Sequence, residues 1–471
     1  MGHRCSLSGE RPGGCTMGSL QKWVGLFSAL ALGGLAQAAP PNGKELFQKP
    51  FPGTNGRSCA TCHVLEEETV LTPQHVESLW AQSPTNPLFN RLDADDPSAA
   101  VLTYAHLKKG LVRVTLPVPA NMDVIDAAGN VITPSDRKIS VWRGVPSVRD
   151  TAILGPYQYD GREASLQSQA QSAILGHSEG GLVSPEELDA IALSERDDFT
   201  SDRARFVSNL FDWGVPLAFI PDPERFMWLT PQEQRGRDVY TTACEGCHGG
   251  STKNRIVNRA VHDAAFLALK PNGTVIFTVD PQKGPVLQRV PRPNDEFLNV
   301  GFAFLSYLGQ VGQLSMYNSD VQLPRYRFRF YTDGTRQHAV TELPPVPVTV
   351  SGDPLDPRSA LDANGFPIVG PNGAPQLFTT DPGRALITGD PADFEAFDIP
   401  SLRGMAKTAP YFHDNSNATL QDVVNTYSRL ILPFLPDMHL PAVHPPEDAQ
   451  GFPESLTPAQ KQDLMAFLKR L

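Results

Sequence analysis

The sequence is poor in cysteine and has no excess of basic residues. Only six of its 471 residues are cysteine, and the formal net charge is −11. An acidic chain of this kind is a poor binder of nucleic acid, although its surface field could steer a basic redox partner. The apolar run from Trp23 to Leu35 is too short to span a bilayer. We therefore expect neither a nucleic-acid partner nor a membrane anchor.

The N-terminal segment has the pattern of a cleaved leader. Lys22 precedes the apolar run, and the small-residue pattern Ala36-Gln37-Ala38 follows it. This predicts a signal peptide over residues 1–38 and a mature protein in the periplasm. No apolar stretch precedes Cys15, so a lipid anchor at that cysteine is not expected.

The four cysteines left after cleavage all lie in two CxxCH motifs, the first motif at residues 59–63 and the second motif at residues 244–248. Two thiols at i and i+3 can add to the two vinyl groups of one porphyrin, and the next histidine can bind the iron. Zinc half-sites and redox dithiols share part of this pattern, but the motifs lie far apart and each has its own histidine. The sequence therefore predicts two covalently attached haem c groups. The residues predicted to hold them are Cys59, Cys62, His63, Cys244, Cys247 and His248.

Each motif follows a short helical pattern, at residues 43–48 and 231–242, as at the start of a small cytochrome c domain. The proline-rich stretch from Pro216 to Pro223 separates the two halves. We therefore expect an N-terminal domain over residues 39–225 and a C-terminal domain over residues 226–471.

Capping signals mark further helices. Ser184, Thr230 and Thr457 each precede a proline and begin a capping box. Residues 111–132 and 326–331 alternate apolar and polar side chains and predict hairpin-like β insertions. Residues 341–395 predict long ordered loops and no third domain. Apart from the two motifs, no internal repeat is expected.

Several other segments resemble the bacterial di-haem cytochrome c peroxidase superfamily, which includes the MauG-type enzymes. They occur in the family's order and cover most of the mature chain. The matching segments are residues 143–147 (RGVPS), 158–162 (QYDGR), 166–170 (LQSQA), 381–384 (DPGR), 400–403 (PSLR) and 408–413 (TAPYFH). The resemblance implies a mainly α fold of two class I cytochrome c-like domains. It implies that the N-terminal haem, with His63 as proximal ligand, reacts with peroxide, and that the C-terminal haem, with His248, relays electrons.

Some members of the superfamily close the peroxidatic iron with a histidine in the loop before the segment that matches Arg143. The equivalent residues 134–138 contain no histidine, so we expect an open first haem in the resting oxidised protein. His106, further upstream, is the residue that could contradict this; the alternative is a surface or core role.

The resemblance also implies the residues that move protons. The family's distal glutamate lies ten residues after the glutamine of the segment matching Gln169, which is Glu179 here. The alternative is a solvated glutamate in a glycine-rich segment. Many members have a proline where this chain has Ala173. His177 is a further ionisable neighbour, and we expect a surface position for it over an acid–base role.

Two aromatic positions carry the remaining redox roles. Tyr159 occupies the place of the family's inter-haem tryptophan and could carry a hole, or only pack against a haem edge. Fourteen residues after His413, peroxidases have a methionine and MauG-type enzymes a tyrosine, which is Tyr427 here. A phenolate ligand stabilises ferric and higher states. Tyr427 could instead be a core aromatic, with Met405 or Met438 as the ligand.

Near the second haem, the resemblance puts His413 close to the relay site without binding the iron. Many relatives hold calcium between the domains, partly through carbonyls that match Thr408 and Pro410. The asparagine of those sites is Gly144 in this chain, which leaves calcium binding open.

Together, these features predict a periplasmic oxidoreductase that uses hydrogen peroxide. Its reductant would be a small redox protein or a side chain of a protein substrate, and the chain would be a monomer or homodimer. Two alternatives are a di-haem oxygenase resembling the rubber oxygenases and a non-enzymatic di-haem electron carrier. A carrier would have six ligands on both irons.

Overall fold

The computed structural model describes residues 41–257, 322–344, 378–432 and 454–471, with five short strands between these ranges. The contacts of residues 41–471 form one compact unit. The predicted signal peptide lies outside the described residues. The domain boundary near residue 225 stays a prediction.

Helices form where the capping signals predict them. The side chains of Ser184, Thr230 and Thr457 accept hydrogen bonds from the backbone three residues later, so these capping boxes are confirmed. The helix Leu420–Thr426 continues directly as a π-helix over Tyr427–Ile431. The α-helices of the described residues are α1 Gly43–Gln48, α2 Pro73–Gln82, α3 Leu166–His177, α4 Pro185–Arg196, α5 Asp202–Asp212, α6 Pro231–Ala243, α7 Ala385–Thr388, α8 Leu420–Thr426 and α9 Pro458–Leu468.

The helix before each motif crosses a later helix at a glycine. α1 packs on α4, and a Cβ on Gly43 would lie 1.9 Å from the carbonyl oxygen of Ala190. α6 packs on α9, and a Cβ on Gly236 would lie 1.9 Å from the carbonyl oxygen of Asp463. Only glycine permits such close approach of two backbones. Both motifs therefore begin beside a tightly packed helix pair.

The strands form small antiparallel sheets. The described strands are β1 Leu111–Pro117, β2 Met122–Ile125, β3 Lys138–Gly144, β4 Val275–Asp280, β5 Gly284–Arg289, β6 Phe297–Leu298, β7 Arg327–Tyr331, β8 Ala339–Leu343, β9 Val348–Thr349, β10 Ala360–Leu361 and β11 Phe397–Asp398. β1 pairs with β3, and β2, β7 and β8 form a three-stranded sheet. These sheets enclose their own apolar core, in which Met122, Phe328 and Phe330 are fully buried.

The strand predictions are confirmed in part. β7 and β8 form the hairpin expected after residues 326–331, with its turn at Asp333-Gly334. Within residues 111–132, the end of β2 folds back on itself, since an antiparallel bridge joins Ile125 to Val131. β1 and β2 do not pair with each other, because their partners are β3 and β7. The fold is thus mixed, with more helix than strand. Most of residues 345–377, where we expect long loops, lies outside the described residues.

A buried charge cluster joins distant parts of the chain. The guanidinium of Arg143, at the end of β3, donates to Asp160 at 2.5 Å and to both carboxylate oxygens of Asp381 at 2.7 and 3.0 Å. Burial alone would lower the pKa of Arg143, but the charges of Asp381 and Asp160 outweigh it and raise this pKa. All three side chains are almost completely buried. An uncompensated charge here would be costly.

We expect Arg143→Met to lower the free energy of unfolding by about 3–5 kcal/mol, because it leaves the Asp381 carboxylate buried without its partner. Arg196→Met is the matched control, since Arg196 pairs with Asp212 at the surface, where such pairs are worth about 1 kcal/mol or less. Urea titrations of the two variants measure this. Equal losses would contradict the structural role given to Arg143.

Candidate functional site

Both CxxCH motifs face one continuous cavity of about 460 Å³. A cavity of this size is in the range that encloses a cofactor. The cavity brings together most of the residues that the sequence analysis singled out. Those that line it are Cys59, Cys62, His63, Tyr159, Gln169, Cys244, Cys247, His248, Thr408, Pro410, His413 and Tyr427.

The two motif histidines are oriented alike. Nδ1 of His63 lies 3.0 Å from the carbonyl oxygen of Thr69, and Nδ1 of His248 lies 3.0 Å from that of Pro400. A carbonyl only accepts, so each Nδ1 carries the proton and each Nε2 keeps its lone pair. This is how a protein holds a metal-ligating histidine. Burial lowers the pKa of His63, and it lowers that of His248 to about 4.

The four motif cysteines form no disulfide. Burial raises the pKa of Cys59, Cys244 and Cys247 to about 12 and that of Cys62 to about 11, so they are thiols at neutral pH. Within the described residues, no three His, Cys, Asp or Glu side chains gather as a metal site. Reduced thiols that face an apolar cavity are what attachment to a porphyrin needs.

The sequence around the two sites contains a repeat that the sequence analysis missed. Residues 145–173 align with residues 399–427 without a gap, so adding 254 to a number in the first copy gives its counterpart. Each copy begins with a Pro-Ser pair, contains a Pro-Tyr pair and ends in a helix that starts Leu-Gln. The constant spacing of these pairs was the signal that could have found it.

The two copies share contacts as well as sequence. The Tyr157 hydroxyl donates to the carbonyl of Thr151 at 2.9 Å, and the equivalent Tyr411 hydroxyl donates to the equivalent carbonyl of Met405 at 2.7 Å. In both copies a β-bridge links this tyrosine to the residue six positions later. The proline carbonyl of each copy also acts on the proximal histidine, Pro146 on His63 and Pro400 on His248. The two sites are therefore variants of one framework.

The helices of the two copies present equivalent positions to the cavity. α3 and α8 both begin with a capping box, at Ser165 and Thr419. At four positions that line the cavity, the first copy has a polar or small residue where the second has a larger apolar or aromatic one. The pairs are Gln169 and Val423, Ala170 and Val424, Ala173 and Tyr427, and His177 and Ile431.

Tyr427 lies within electrostatic reach of Cys244 and Cys247. Burial raises the pKa of Tyr427. The phenol therefore keeps its proton unless a cation binds its oxygen. Met405, one of the alternative ligands, also lines the cavity. Met438 lies outside the described residues.

Gln169 and Tyr159 line the cavity, but Glu179 is not among the lining residues. Glu179 is exposed, has a left-handed backbone with φ of 53°, and accepts a hydrogen bond from Asn55 at 3.1 Å. Burial raises the pKa of Tyr159, against the lowering effect of the Arg143 charge. Glu179, the expected distal carboxylate, therefore does not line the cavity.

Of two other histidines, one meets its expectation and the other does not. His106 stacks on Trp142 at 4.2 Å, and its two ring nitrogens pair with Asp95 and the carbonyl of Gln322. It therefore has a core role away from the cavity. His177, expected at the surface, lines the cavity at the end of α3, and burial lowers its pKa.

The calcium-related residues also lie together. Thr408, Pro410 and Gly144 line the cavity beside Asn415. A Cβ on Gly144 would lie 2.3 Å from the Asn415 side-chain oxygen, so an amide oxygen from elsewhere in the chain fills the place of the missing asparagine side chain. His413 stacks on Phe397 at 4.1 Å, and its ring nitrogens find no partner among the described residues. Buried polar atoms of this kind suit contact with a bound cofactor.

Comparison with known proteins gives two curated relatives. A cytochrome c551 peroxidase of Nitrosomonas europaea is 46% identical over 50 residues, which cover 11% of this chain and 15% of that protein. A cytochrome-c peroxidase of Denitromonas iodatirespirans, IdrP2, is 34% identical over 92 residues, covering 20% of this chain and 21% of that protein. Parts of the chain are thus similar to bacterial cytochrome c peroxidases. No family model matches it.

The curated matches span about a fifth or less of the length of these peroxidases. Among solved structures, a MauG-like protein associated with microbial copper homeostasis aligns over 92% of this chain and 90% of its own, with 18% identity and a TM-score of 0.37. That TM-score is too low to support an argument. Within the described residues, no helix has the length and apolar character needed to cross a membrane.

Glu195 is a further cavity residue that no sequence motif indicated. It lies in α4, is 5% exposed and lines the cavity. Its Oε2 has no hydrogen-bond partner within the described residues. Burial raises its pKa to about 8. A carboxylic acid that stays protonated at neutral pH therefore faces the first site, near Cys59.

We expect Glu195→Gln to change stability in a pH-dependent way. The folded-state pKa is raised, so the wild-type protein loses stability as the pH rises from about 4.5 toward 8. The variant lacks this loss, and it should match the wild type near pH 4 and exceed it by roughly 1–3 kcal/mol at pH 9. Urea unfolding at both pH values measures this, with the exposed Glu186→Gln as control. A difference independent of pH would contradict the assignment.

Proposed function

We propose that this chain is a periplasmic di-haem c-type oxidoreductase that reacts with hydrogen peroxide at the haem of the first motif. The haem of the second motif, between His248 and Tyr427, would relay or store the oxidising equivalents. The relation to bacterial cytochrome c peroxidases and the cavity shared by both motifs support this proposal. When bound, the two haems would supply the redox chemistry.

The observation that carries the proposal is the difference between the two copies of the repeat. Tyr427 would ligate the second haem, and its counterpart in the first copy is Ala173. A methyl group cannot bind iron. The first haem would therefore admit a small molecule, while Tyr427 would occupy that position at the second.

The protein's own residues would prepare the first site. His63 offers Nε2 to the iron because Nδ1 is held by the Thr69 carbonyl. The Gln169 amide can hydrogen-bond a bound peroxide from the cavity wall. The family pattern gives Glu179 the distal proton transfer from the rim. Tyr159 would pass an electron or hole, and the burial that raises its pKa means it must release a proton when oxidised.

Other features follow the family pattern. The helix pairs that cross at Gly43 and Gly236 support two cytochrome c-like domains over residues 39–225 and 226–471, after a cleaved signal peptide over residues 1–38. Calcium could bind at the carbonyls of Thr408 and Pro410, with the Asn415 oxygen in place of the absent asparagine. The reductant would be a small redox protein or a side chain of a protein substrate, and the enzyme would be a monomer or homodimer.

Stoichiometric peroxide added to the diferric protein tests this function. We expect a resting ferric spectrum with a high-spin component from the first haem, which peroxide removes. We also expect long-lived near-infrared absorption, because phenolate ligation by Tyr427 would stabilise higher oxidation states and let two haems share the oxidation. Stopped-flow absorption and electron paramagnetic resonance measure these signals.

Two other results would change the assignment. Rapid decay with turnover of a reduced cytochrome would indicate a conventional peroxidase. A resting spectrum without any high-spin component would contradict the enzyme hypothesis and favour the di-haem electron carrier.

The alanine of the first copy gives a second test. Ala173→Tyr introduces at the first site the tyrosine that the second site has at position 427. We expect this variant to convert the high-spin ferric signal of the first haem to low spin and to abolish the reaction with peroxide. Ala173→Phe fills the same space without an oxygen donor, so it should block peroxide while the signal stays high spin. Electron paramagnetic resonance separates the two variants.

Tyr427→Phe is measured together with the two Ala173 variants, because their comparison is informative only if Tyr427 is a ligand of the second haem. Loss of the second haem's low-spin signal in this variant is the expected result. If that signal is unchanged, the Tyr427 assignment is wrong. If it changes while Ala173→Tyr stays high spin, the repeat does not extend to the ligand position.

A further inference from the structure

The helices of the two copies differ most at positions one turn apart. On α3, Gln169, Ala173 and His177 follow one another at four-residue intervals, which places them along one side of the helix. All three line the cavity. The counterparts in the second copy are Val423, Tyr427 and Ile431. The first copy thus has a gap at its centre and a polar side chain one turn to either side.

We propose that His177 is the catalytic residue that accepts and returns the proton during the reaction with peroxide at the first motif. This inference rests on the proposed function and deepens it, because it names the acid–base group of that site. It assigns to a histidine the task that the family pattern gives to Glu179.

The position of His177 is fixed by the chain that leads into the first motif. Its carbonyl oxygen accepts hydrogen bonds from the Asn55 amide at 3.0 Å and from the Arg57 guanidinium at 3.3 Å. Arg57 is itself buried and paired with Asp93 at 2.7 Å. The last turn of α3 is therefore held against the segment that carries Cys59, and this fixes the backbone from which the His177 side chain enters the cavity wall.

Glu179 leaves the same helix in a different direction. Its left-handed backbone follows the end of α3, and its carboxylate meets the Asn55 side chain in an exposed position. A group at the rim exchanges protons readily with water. His177 lines the cavity in which peroxide would bind, whereas Glu179 does not.

Burial favours the neutral form of His177. It is the largest effect and lowers the pKa of His177; Asp93 opposes this, and Arg57 and Arg162 add to it. His63 interacts electrostatically with His177, and burial lowers the pKa of His63 as well. An imidazole that is neutral at neutral pH can accept a proton at once.

The proton balance of the reaction is simple. A ring nitrogen of His177 takes the proton from one oxygen of hydrogen peroxide and returns it to the other oxygen, which leaves as water when the O–O bond breaks. Over the whole reaction, hydrogen peroxide takes two electrons from the reductant and two protons from solvent and becomes two waters. His177 is unchanged at the end.

Cyanide binding tests the base without turnover. Hydrogen cyanide must lose its proton as it binds a ferric haem, so a distal base speeds association while the final complex needs no reductant. The measurement is the association rate of cyanide with the diferric holoprotein, by stopped-flow absorption, from pH 4.5 to 8. The variants are His177→Gln and Glu179→Gln, with His75→Gln as control, since His75 pairs with Glu67 outside the cavity.

We expect His177→Gln to slow cyanide association about 100-fold, in line with the loss of a general base. In the wild type, the rate should fall as the pH drops through a value below the usual histidine pKa, and the variant should lack this step. Glu179→Gln should slow association by less than His177→Gln does, and His75→Gln should match the wild type. His177→Glu, which restores a base, should recover part of the rate.

Three results would overturn the proposal. One is a His177→Gln rate within tenfold of the wild type, and another is a larger loss from Glu179→Gln. The third is a resting low-spin signal that turns high spin in His177→Gln, because His177 would then be an iron ligand. Two haems per chain and an unchanged unfolding temperature show that each variant has folded, and His177→Glu serves if His177→Gln does not.

The peroxide reaction separates this inference from the proposed function. If the wild-type protein binds cyanide but does not react with peroxide, the proposed function fails. If it reacts with peroxide and His177→Gln reacts equally fast, only the role of His177 fails.

Discussion

The buried pairing of Arg143 with Asp160 and Asp381 is the constraint on which the site depends. Arg143 ends β3, Asp160 follows Tyr159, and Asp381 belongs to a segment more than 200 residues away. Since a buried guanidinium is tolerated only with its carboxylates in place, these three segments must meet. Their meeting sets the wall of the cavity that both motifs face.

The same framework is used twice around that wall. In each copy a proline carbonyl acts on the motif histidine, a tyrosine hydroxyl closes the following loop, and a capped helix faces the cavity. The framework gives both sites a proximal histidine with a free Nε2. The two copies differ at a few helix positions, where Ala173 and His177 of the first copy correspond to Tyr427 and Ile431 of the second. Unequal reactivity can therefore arise from side chains alone.

Local signals predicted the helices well, because capping boxes and prolines act within one turn of the backbone. They failed for strand partners, since the pairing of β1 with β3 and of β2 with β7 depends on contacts between distant segments. The same limit applies to the site. A count along the chain put Glu179 at the family's position, but it did not show that this side chain is exposed while His177 lines the cavity. Glu195 carried no signal, because only burial makes its carboxyl unusual.

The sequence by itself determined the two CxxCH motifs, the order of the family segments and the capped helices, because each depends on covalent spacing or on neighbours within a few residues. Only the tertiary structure decided that both motifs open into one cavity, that His106 lies in the core and that Ala173 and Tyr427 both line that cavity. Burial and approach between distant segments decide such features, and neither can be read from spacing along a chain.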